Sequence, residues 1–256
     1  MKSISIKLVG KKFSEVNTSK TSTKLRGSKV RRKMLTDFIE LHVIEGFLGP
    51  DELVERTIIE FQDDIAREQL LPVAQKLVYQ RIVKRYLEEI NWVSPTDCER
   101  LDRAFLELNQ MGILAKQNFS CCNSCGHKRI ERALKNNAKR TRTSKHEIEV
   151  TMKSLSKQST QSKRKGSDIW GYAFFHAQDT DEAVATGELN ITFGAVDKTS
   201  EQALDIAIEV GQKIEEALKR NGLNTSWDGS YLQRVGITGI KWQRRRFPMI
   251  VQSKAV

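Results

Sequence analysis

Ile169-Trp-Gly-Tyr-Ala-Phe-Phe-His176 is the stretch that decides the fold class, because it is a nearly continuous apolar run of strand length. Residues 189–196 alternate between polar and apolar side chains and are predicted as a second strand. Between these strands, Asp179 is expected to cap a short helix, with Glu182 three residues on and Gly187 as its end. The second half of the chain therefore begins as strand, helix, strand.

The rest of the second half continues this pattern. The clearest helix in the chain is predicted over residues 200–220, with apolar side chains three and four residues apart along one side. Residues 223–227 and 235–242 are predicted as a pair of strands, with Asp228-Gly229 as a turn. We therefore expect a small sheet flanked by one long and one short helix.

The first half has helical spacing. Between residues 28 and 115, apolar side chains recur at steps of three and four residues in four successive stripes. The last stripe opens with the capping box Thr96 and Glu99 and stops at Gly112. A winged helix is disfavoured, because residues 37–125 carry a net charge of −7 and a major-groove helix needs a basic face. The predicted class is α+β, with a helical N-terminal half followed by the sheet.

A cysteine-rich turn over residues 117–129 is the most chemically informative segment. Cys122 and Cys125 have the Cys-x-x-Cys spacing that lets two thiolates converge on one zinc ion. Gly126 is expected to take the positive φ that the tight return of such a turn demands. The sequence therefore predicts half of a zinc site.

Two further ligands are needed, because structural zinc sites are four-coordinate and the chain has no second Cys-x-x-Cys. We predict His127 and His176 as these ligands. Cys121 is also a candidate, but adjacent cysteines point in different directions in most backbones. The remaining candidates are Cys98 and His146.

Two other interpretations of the cysteines stay open. A thiol redox pair would lie between the strand and the helix of a βαβ unit, and the sequence predicts no strong strand before Cys122. Plain reduced cysteines in a buried turn are the third interpretation, since free cysteine is among the most buried residue types. A structural disulfide is disfavoured for a cytoplasmic protein.

The net charge of +11 comes from two segments. Residues 1–36 hold eleven Lys or Arg and one acid, and residues 128–165 hold thirteen against three acids. Both are poor in large apolar side chains, which predicts a flexible basic arm over 1–30 and a basic low-complexity insert over 130–167. Solvated linkers are one interpretation, and salt-sensitive binding of nucleic acid or another polyanion is the other. Neither segment has a Trp or Tyr to stack on bases.

The end of the 169–176 strand is the best candidate ligand site, because ligands bind at strand ends in many α/β sheets. The ligand-binding candidates are Gln178, Asp179, Trp227 and Asp228. The alternative is that these residues, with His176, only cap a helix, form a turn and fill the core. The chain lacks the nucleotide-binding, nucleophile-elbow and zinc-protease motifs, so the sequence leaves open whether it is an enzyme.

The preferred interpretation is a cytoplasmic binding or interaction protein with a structural zinc site. The runner-up is a metal-assisted hydrolase, with an open zinc position near His176 and Asp179 that activates water. The longest uncharged stretch has eleven residues and is polar, which argues against a membrane span. Lys7 interrupts the short apolar start, which argues against a secretory signal.

Four runs together resemble a bacterial family of domains of unknown function. They are Thr96-Asp-Cys-Glu-Arg-Leu-Asp-Arg-Ala-Phe105, Gln117-Asn-Phe-Ser-Cys-Cys-Asn-Ser-Cys-Gly-His127, Gly171-Tyr-Ala-Phe-Phe-His-Ala-Gln-Asp-Thr180 and Trp227-Asp-Gly-Ser230. The resemblance covers about residues 30–246 and implies a bacterial origin and one unit that joins both halves, with no activity to carry over. Members of that family join the second and third runs by a shorter link, which implies that residues 130–167 are an insertion.

The chain is thus divided into six predicted segments. They are the basic arm 1–30, the helical region 31–116, the cysteine-rich turn 117–129, the basic insert 130–167, the α+β region 168–247 and the tail 248–256.

Overall fold

The computed structural model describes residues 29–136 and 169–246, apart from residues 198 and 200. Within these ranges the chain forms seven helices and five strands, which confirms the predicted α+β class. The helices are α1 (Lys29–Glu45), α2 (Pro50–Phe61), α3 (Arg67–Glu89), α4 (Asp97–Gln110), α5 (residues 123–136), α6 (Ala177–Thr186) and α7 (Ala203–Arg220). The strands are β1 (Ile113–Lys116), β2 (Gly171–Phe174), β3 (Glu188–Ala195), β4 (Thr225–Ser226) and β5 (Val235–Thr238). Among the described helices, none has the length and apolar character needed to cross a bilayer.

Helices α1, α2 and α3 pack around a core of their own, as the apolar stripes predict. Pro50 opens α2, where its missing N–H has no helical partner to lose, and Asp51 and Glu52 lie near the positive end of the helix dipole. The buried members of this core are Leu35, Ile39, Val43, Leu53, Val54, Ile58, Phe61, Leu70, Ala74, Val78 and Ile82.

Helix α4 begins at the predicted capping box. The Thr96 N–H donates to Glu99 Oε2 at 2.9 Å, and the Glu99 N–H donates to Thr96 Oγ1 at 3.2 Å. Gly112, with φ +82°, follows the end of the helix and leads into β1. The predicted helical region 31–116 therefore ends in a strand at residues 113–116, directly after the predicted helix stop at Gly112. An apolar run of this length is too short for its periodicity to distinguish a strand from a helix.

The five strands form one mixed sheet in the order β1-β2-β3-β5-β4. β1 and β2 are parallel, with Ile113 opposite Gly171 and Lys116 opposite Phe174, and the other neighbours are antiparallel. Because α5 lies between β1 and β2 in the chain, these three elements form a βαβ unit. The carboxyl ends of β1 and β2 therefore lie at the same edge of the sheet.

Helices cover both faces of the sheet. On one face, Ile113 and Ala173 share a core with Val210 of the long helix α7. On the other face, Ile130 of α5 packs with Phe174 of β2. The predicted flanking of the sheet by a long and a short helix is confirmed, and α5 is an additional cover that the sequence does not predict.

Residues 240–246 tie the three-helix core to the sheet. Trp242 Nε1 donates to the Glu45 carbonyl at the end of α1, at 3.2 Å. The Arg246 guanidinium donates to the Leu48 carbonyl through two nitrogens, at 2.6 and 2.7 Å. These donors satisfy carbonyl groups at and beyond a helix C-terminus, where a cation is also favoured by the helix dipole.

Candidate metal centre

The loop between β1 and α5, residues 117–122, lies at the shared carboxyl edge of β1 and β2. Two backbone hydrogen bonds hold it there. The Phe119 N–H donates to the Phe175 carbonyl at 3.0 Å, and the Ala177 N–H donates to the Ser120 carbonyl at 2.8 Å. The loop that carries Cys121 and Cys122 is therefore fixed to the residues that follow β2.

Cys122 is the residue before α5, and its sulfur occupies the place of an N-cap side chain. The backbone N–H groups of Cys125 and Ser124 donate to this sulfur, and the Gly126 N–H donates to the Cys122 carbonyl at 3.0 Å. The prediction of a turn over residues 117–129 is therefore wrong from residue 123 onward, where the chain is helical.

Gly126 is needed for a reason other than the predicted one. It lies within α5 and does not take a positive φ. A Cβ added to it would lie 2.2 Å from Cε2 of Phe174, a ring that is fully buried in β2. The glycine therefore allows α5 to approach the sheet closely, which holds the start of the helix against β2.

The predicted insert begins later than residue 130. Residues 130–136 belong to α5, and Ile130 is only 2% exposed. The sequence pattern does not reveal this helix, because its exposed face carries most of the basic residues of the stretch. The predicted arm over 1–30 is wrong at residues 29 and 30, which belong to α1. Residues 1–28 of that arm, the rest of the predicted insert and the tail lie outside the described residues.

Three cysteines bring their sulfurs together at the start of α5. The Sγ atoms of Cys121, Cys122 and Cys125 all lie within 4.8 Å of one another, and those of the adjacent pair are 3.9 Å apart. The expectation that adjacent cysteines point apart is wrong here, because the chain changes direction where the loop meets the helix. Cys121 is exposed and the other two are partly exposed, so the cluster faces solvent.

Hydrogen bonding gives these thiols different acidities. The N–H that Cys125 donates to the Cys122 sulfur favours the thiolate and lowers the pKa of Cys122. Hydrogen bonds to Cys121 and then to Cys122 raise the pKa of Cys125 to about 11. Cys98 lies instead in the core on α4, where burial raises the pKa of its thiol to about 12. It is therefore an inert core residue, and the other minor candidate, His146, lies outside the described residues.

His127 lies on α5 against the aromatic side chains of β2. Its ring meets Tyr172 and Phe174 edge-on, with centroids 5.9 and 5.4 Å apart, and Nδ1 is 3.4 Å from the Tyr172 hydroxyl oxygen. It also lines a cavity of about 290 Å³, together with Glu131. His127 is not part of the converging thiol group, so the structure does not bring this predicted ligand to the cysteines.

His176 is the N-cap of α6. Its Nδ1 accepts the Asp179 N–H at 3.3 Å, and the Asp179 carboxylate accepts the His176 N–H at 2.9 Å. The prediction that Asp179 is the cap is therefore wrong, since Asp179 is the third helical residue and completes a capping box. Burial lowers the pKa of His176, which keeps the ring neutral with Nδ1 as an acceptor. Like His127, it is outside the thiol group.

Asp179 also forms an ion pair with Arg234, which the sequence does not predict. The Arg234 guanidinium donates to Asp179 Oδ1 at 2.7 Å, and the carboxylate is only 2% exposed. No local pattern marks this pair, because 55 residues separate its members. The neighbouring Gln178 is exposed on α6.

Trp227 and Asp228 contribute to the turn after β4 and to packing beside it. Trp227 Nε1 donates to the Ser230 carbonyl at 3.0 Å, and its ring meets Phe193 edge-on at 5.8 Å. The Ser230 N–H donates to the Asp228 carboxylate at 2.8 Å, which lowers the pKa of Asp228. These contacts do not bring Trp227 and Asp228 to Asp179, so a shared ligand site remains a prediction.

Comparisons with known proteins identify a family whose function is unknown. A family model described as Domain of unknown function (DUF6891) matches residues 28–246. This confirms the resemblance to a family of unknown function and the extent of that resemblance. No curated protein and no solved structure matches the chain.

Proposed function

The chain belongs to the DUF6891 family, and we propose that it is a metal-binding protein in which Cys121, Cys122 and Cys125 hold a zinc ion. The convergence of the three sulfurs at the start of α5 is the observation that carries this proposal. In the described residues, it is the one group of three or more His, Cys, Asp or Glu side chains with such spacing. Thiolates are the ligands that zinc and other soft ions prefer.

The sulfur spacing suits a tetrahedral ion. A zinc–sulfur bond of about 2.3 Å places two ligands of a tetrahedron about 3.8 Å apart. The Sγ atoms of Cys121 and Cys122 are 3.9 Å apart, so this pair needs almost no movement to share an ion. The third sulfur, from Cys125, lies within 4.8 Å of both, so it needs a shift of at most about 1 Å toward them.

We propose that the zinc ion binds at the surface of a fold that is already formed, and that the fold does not depend on it for stability. Helix α5 is already held to the sheet by the apolar cluster of Leu114, Ile130, Tyr172 and Phe174. The described residues supply three ligands where a closed structural site has four, and we propose that water or an added ligand takes the fourth position. This arrangement supports reversible binding and replaces the structural zinc site expected from the sequence.

Metal analysis tests the proposal. Freshly purified protein is expected to carry about one equivalent of zinc, and Cys122→Ser or Cys125→Ser to carry less than about a tenth. Cys98→Ala is the matched control, because it also removes one thiol but lies in the core, and it is expected to keep the zinc. The proposal is contradicted by wild-type protein that carries less than about a tenth of an equivalent of zinc and whose thiols at Cys121, Cys122 and Cys125 titrate freely.

Metal-assisted hydrolysis is less well supported than binding. An open fourth position favours it, and the loop with the cysteines contacts the start of α6 through Ser120. The two residues that this alternative places beside the ion, His176 and Asp179, are engaged in the capping box and the ion pair with Arg234. Neither of these two candidates is therefore free to act as a general base.

A second candidate function is polyanion binding, and the exposed face of α5 favours it. Lys128, Arg132 and Lys135 are exposed, and their spacing of four and three residues places them on one side of the helix. Such a stripe provides cations for the phosphates of a nucleic acid, and the sequence holds further Lys and Arg between residues 137 and 165. Binding is expected to weaken steeply with salt.

A charge reversal tests this second candidate. The triple change of Lys128, Arg132 and Lys135 to Glu is expected to lower the affinity for duplex DNA and to flatten its salt dependence. The matched control makes the same charge change on α3, at Arg67, Lys76 and Lys84. Equal affinity of both variants and the wild type refutes binding through α5.

We propose a cytoplasmic location, because a zinc site made of thiolates requires a compartment that keeps its cysteines reduced.

A further inference from the structure

The cysteine cluster has the chain topology of a thiol redox site. β1 enters the loop, α5 begins directly after Cys122, and β2 returns parallel to β1. The sequence disfavours a redox pair for one reason, the lack of a predicted strand before the cysteines, and β1 is that strand. A Cys-x-x-Cys between the strand and the helix of a βαβ unit is the setting of thioredoxin-like exchange.

We propose that Cys122 and Cys125 form a thiol–disulfide couple that exchanges electrons with a low-molecular-weight disulfide such as oxidised glutathione. This activity goes beyond metal binding and does not depend on it, although both use the same sulfurs. The proposal stands on topology, distance and access.

The distance between the two cysteines suits a disulfide without movement of the backbone. Cys122 and Cys125 are the residue before α5 and its third residue, and helical geometry places Cα atoms three residues apart at a separation of about 5 Å. Disulfides join Cα atoms that are about 4.4–6.8 Å apart. Their Sγ atoms lie within 4.8 Å, so side-chain rotation alone closes the bond.

Access distinguishes these cysteines from the fourth one. Cys122 and Cys125 are partly exposed at the edge of the sheet, whereas Cys98 is 1% exposed in the core. A dissolved disulfide can reach the first two sulfurs and cannot reach Cys98 in the folded protein. Cys121 is exposed beside the pair, and the couple we propose does not require it.

The exchange balances in two steps. The Cys122 thiolate attacks one sulfur of the external disulfide, forms a mixed disulfide and releases one thiolate. The Cys125 thiolate then attacks the Cys122 sulfur, forms the internal disulfide and releases the second thiolate. The two cysteines lose two electrons and two protons in all, and the external disulfide becomes two thiols.

Zinc and oxidation oppose each other at this cluster. The internal disulfide removes two of the three thiolates that we propose as ligands, so oxidation releases the ion, and a bound ion protects the thiols. Cytosolic disulfides are usually transient and catalytic or redox-sensing, which agrees with this behaviour.

The experiment uses the whole 256-residue chain, stripped of metal with a chelator and equilibrated with graded ratios of reduced to oxidised glutathione. After the exchange is quenched and the protein is denatured, a maleimide that adds mass to each free thiol is expected to count four thiols from the reduced protein and two from the oxidised protein. Peptide mass spectrometry is expected to find the bond between Cys122 and Cys125. Four free thiols at every ratio, or a bond that links two chains, overturns the proposal.

Variants assign the two steps. Cys125→Ser is expected to accumulate one glutathione per chain on Cys122, because the second step is lost. Cys121→Ser and Cys98→Ala are expected to form the internal disulfide as the wild type does. If Cys121→Ser abolishes that disulfide, the proposed couple is wrong, because Cys121 is then one of its members.

The two proposals fail separately. Zinc binding by the reduced protein without any internal disulfide refutes the couple and leaves the metal site. Disulfide formation by a protein that binds no zinc refutes the metal site and leaves the couple.

Discussion

Replacing Gly126 with Ala tests how closely α5 lies against the sheet. The new Cβ would lie 2.2 Å from Cε2 and 2.5 Å from Cζ of Phe174. The ring cannot move away easily, because it is fully buried, stacked on Tyr172 with centroids 6.3 Å apart and tilted against Phe119 at 6.2 Å. The helix or the ring must therefore shift.

Two opposing effects set the change in stability. Alanine in place of glycine within a helix contributes about 0.5–1 kcal/mol of stability, because it restricts the unfolded chain. Overpacking of a dense core costs about 1–3 kcal/mol. The clash outweighs the gain in helix stability, so Gly126→Ala is expected to destabilise the protein by about 1–2 kcal/mol.

Urea unfolding at equilibrium measures this effect. Ser124→Ala, at an exposed position in the same turn, is the control and is expected to stay within about 0.5 kcal/mol of the wild type. Phe174→Leu removes the clashing ring atoms, so the double variant with Gly126→Ala is expected to lose about 1–2 kcal/mol less than the sum of the single changes. A Gly126→Ala protein as stable as the wild type, or more stable, refutes the close approach of α5.

Three further predictions concern groups outside the cysteine cluster. Burial and the neighbouring Asp181 raise the pKa of Glu45 to about 9, so the folded protein holds a proton that the unfolded chain releases above its ordinary pKa of 4.5. Wild-type stability is expected to fall between about pH 5 and pH 9, by up to about 1.4 kcal/mol per unit, and Glu45→Gln to flatten that slope in unfolding curves. Thr96→Ala removes the capping box of α4 and is expected to lose about 1 kcal/mol in urea unfolding, whereas no loss means that the cap does not stabilise the helix. Arg234→Met leaves the Asp179 carboxylate buried without its cation and is expected to lose about 1–2 kcal/mol at neutral pH, with part of the loss restored by Asp179→Asn. The expected loss of stability is smaller than for a fully buried ion pair, because the Arg234 side chain is 38% exposed. An unchanged midpoint of urea unfolding in Arg234→Met would show that the ion pair contributes nothing to stability.

Long periodic segments were predictable from the sequence, because their signal is local. The apolar side of α7 and the capping box of α4 each depend on side chains within a few residues of one another, and the structure has both. The apolar stretch 169–176 likewise contains β2. In these segments, local preference and packing agree.

Short elements were not predictable, because their partners are distant in the chain. β1 is four residues long and is a strand because it pairs with β2, which begins 55 positions after Lys116. Helix α5 shows few apolar residues, since one narrow side packs on the sheet and the rest carries charge. The sequence pattern therefore predicts a turn and an insert where the structure has a helix.

The candidate site was half predictable. The Cys-x-x-Cys spacing identified Cys122 and Cys125, because residues three apart meet at the start of a helix as well as in a turn. The third sulfur was misjudged, since the direction of Cys121 depends on how the loop joins α5. His127 was a candidate because it is close to the cysteines in sequence, and His176 because it follows a strand. In the structure, His127 lies against Tyr172, and His176 accepts the Asp179 N–H.

Zinc-edge X-ray absorption on freshly purified, reduced protein tests the central claim most directly. Three thiolates and one open position predict three sulfur ligands at about 2.3 Å and one lighter atom at about 2.0–2.1 Å. Cys121→Ser is expected to carry less than about a tenth of an equivalent of zinc, as the other two cysteine variants do. A wild-type spectrum with two sulfurs and two imidazoles, or a protein that retains no zinc, contradicts the account.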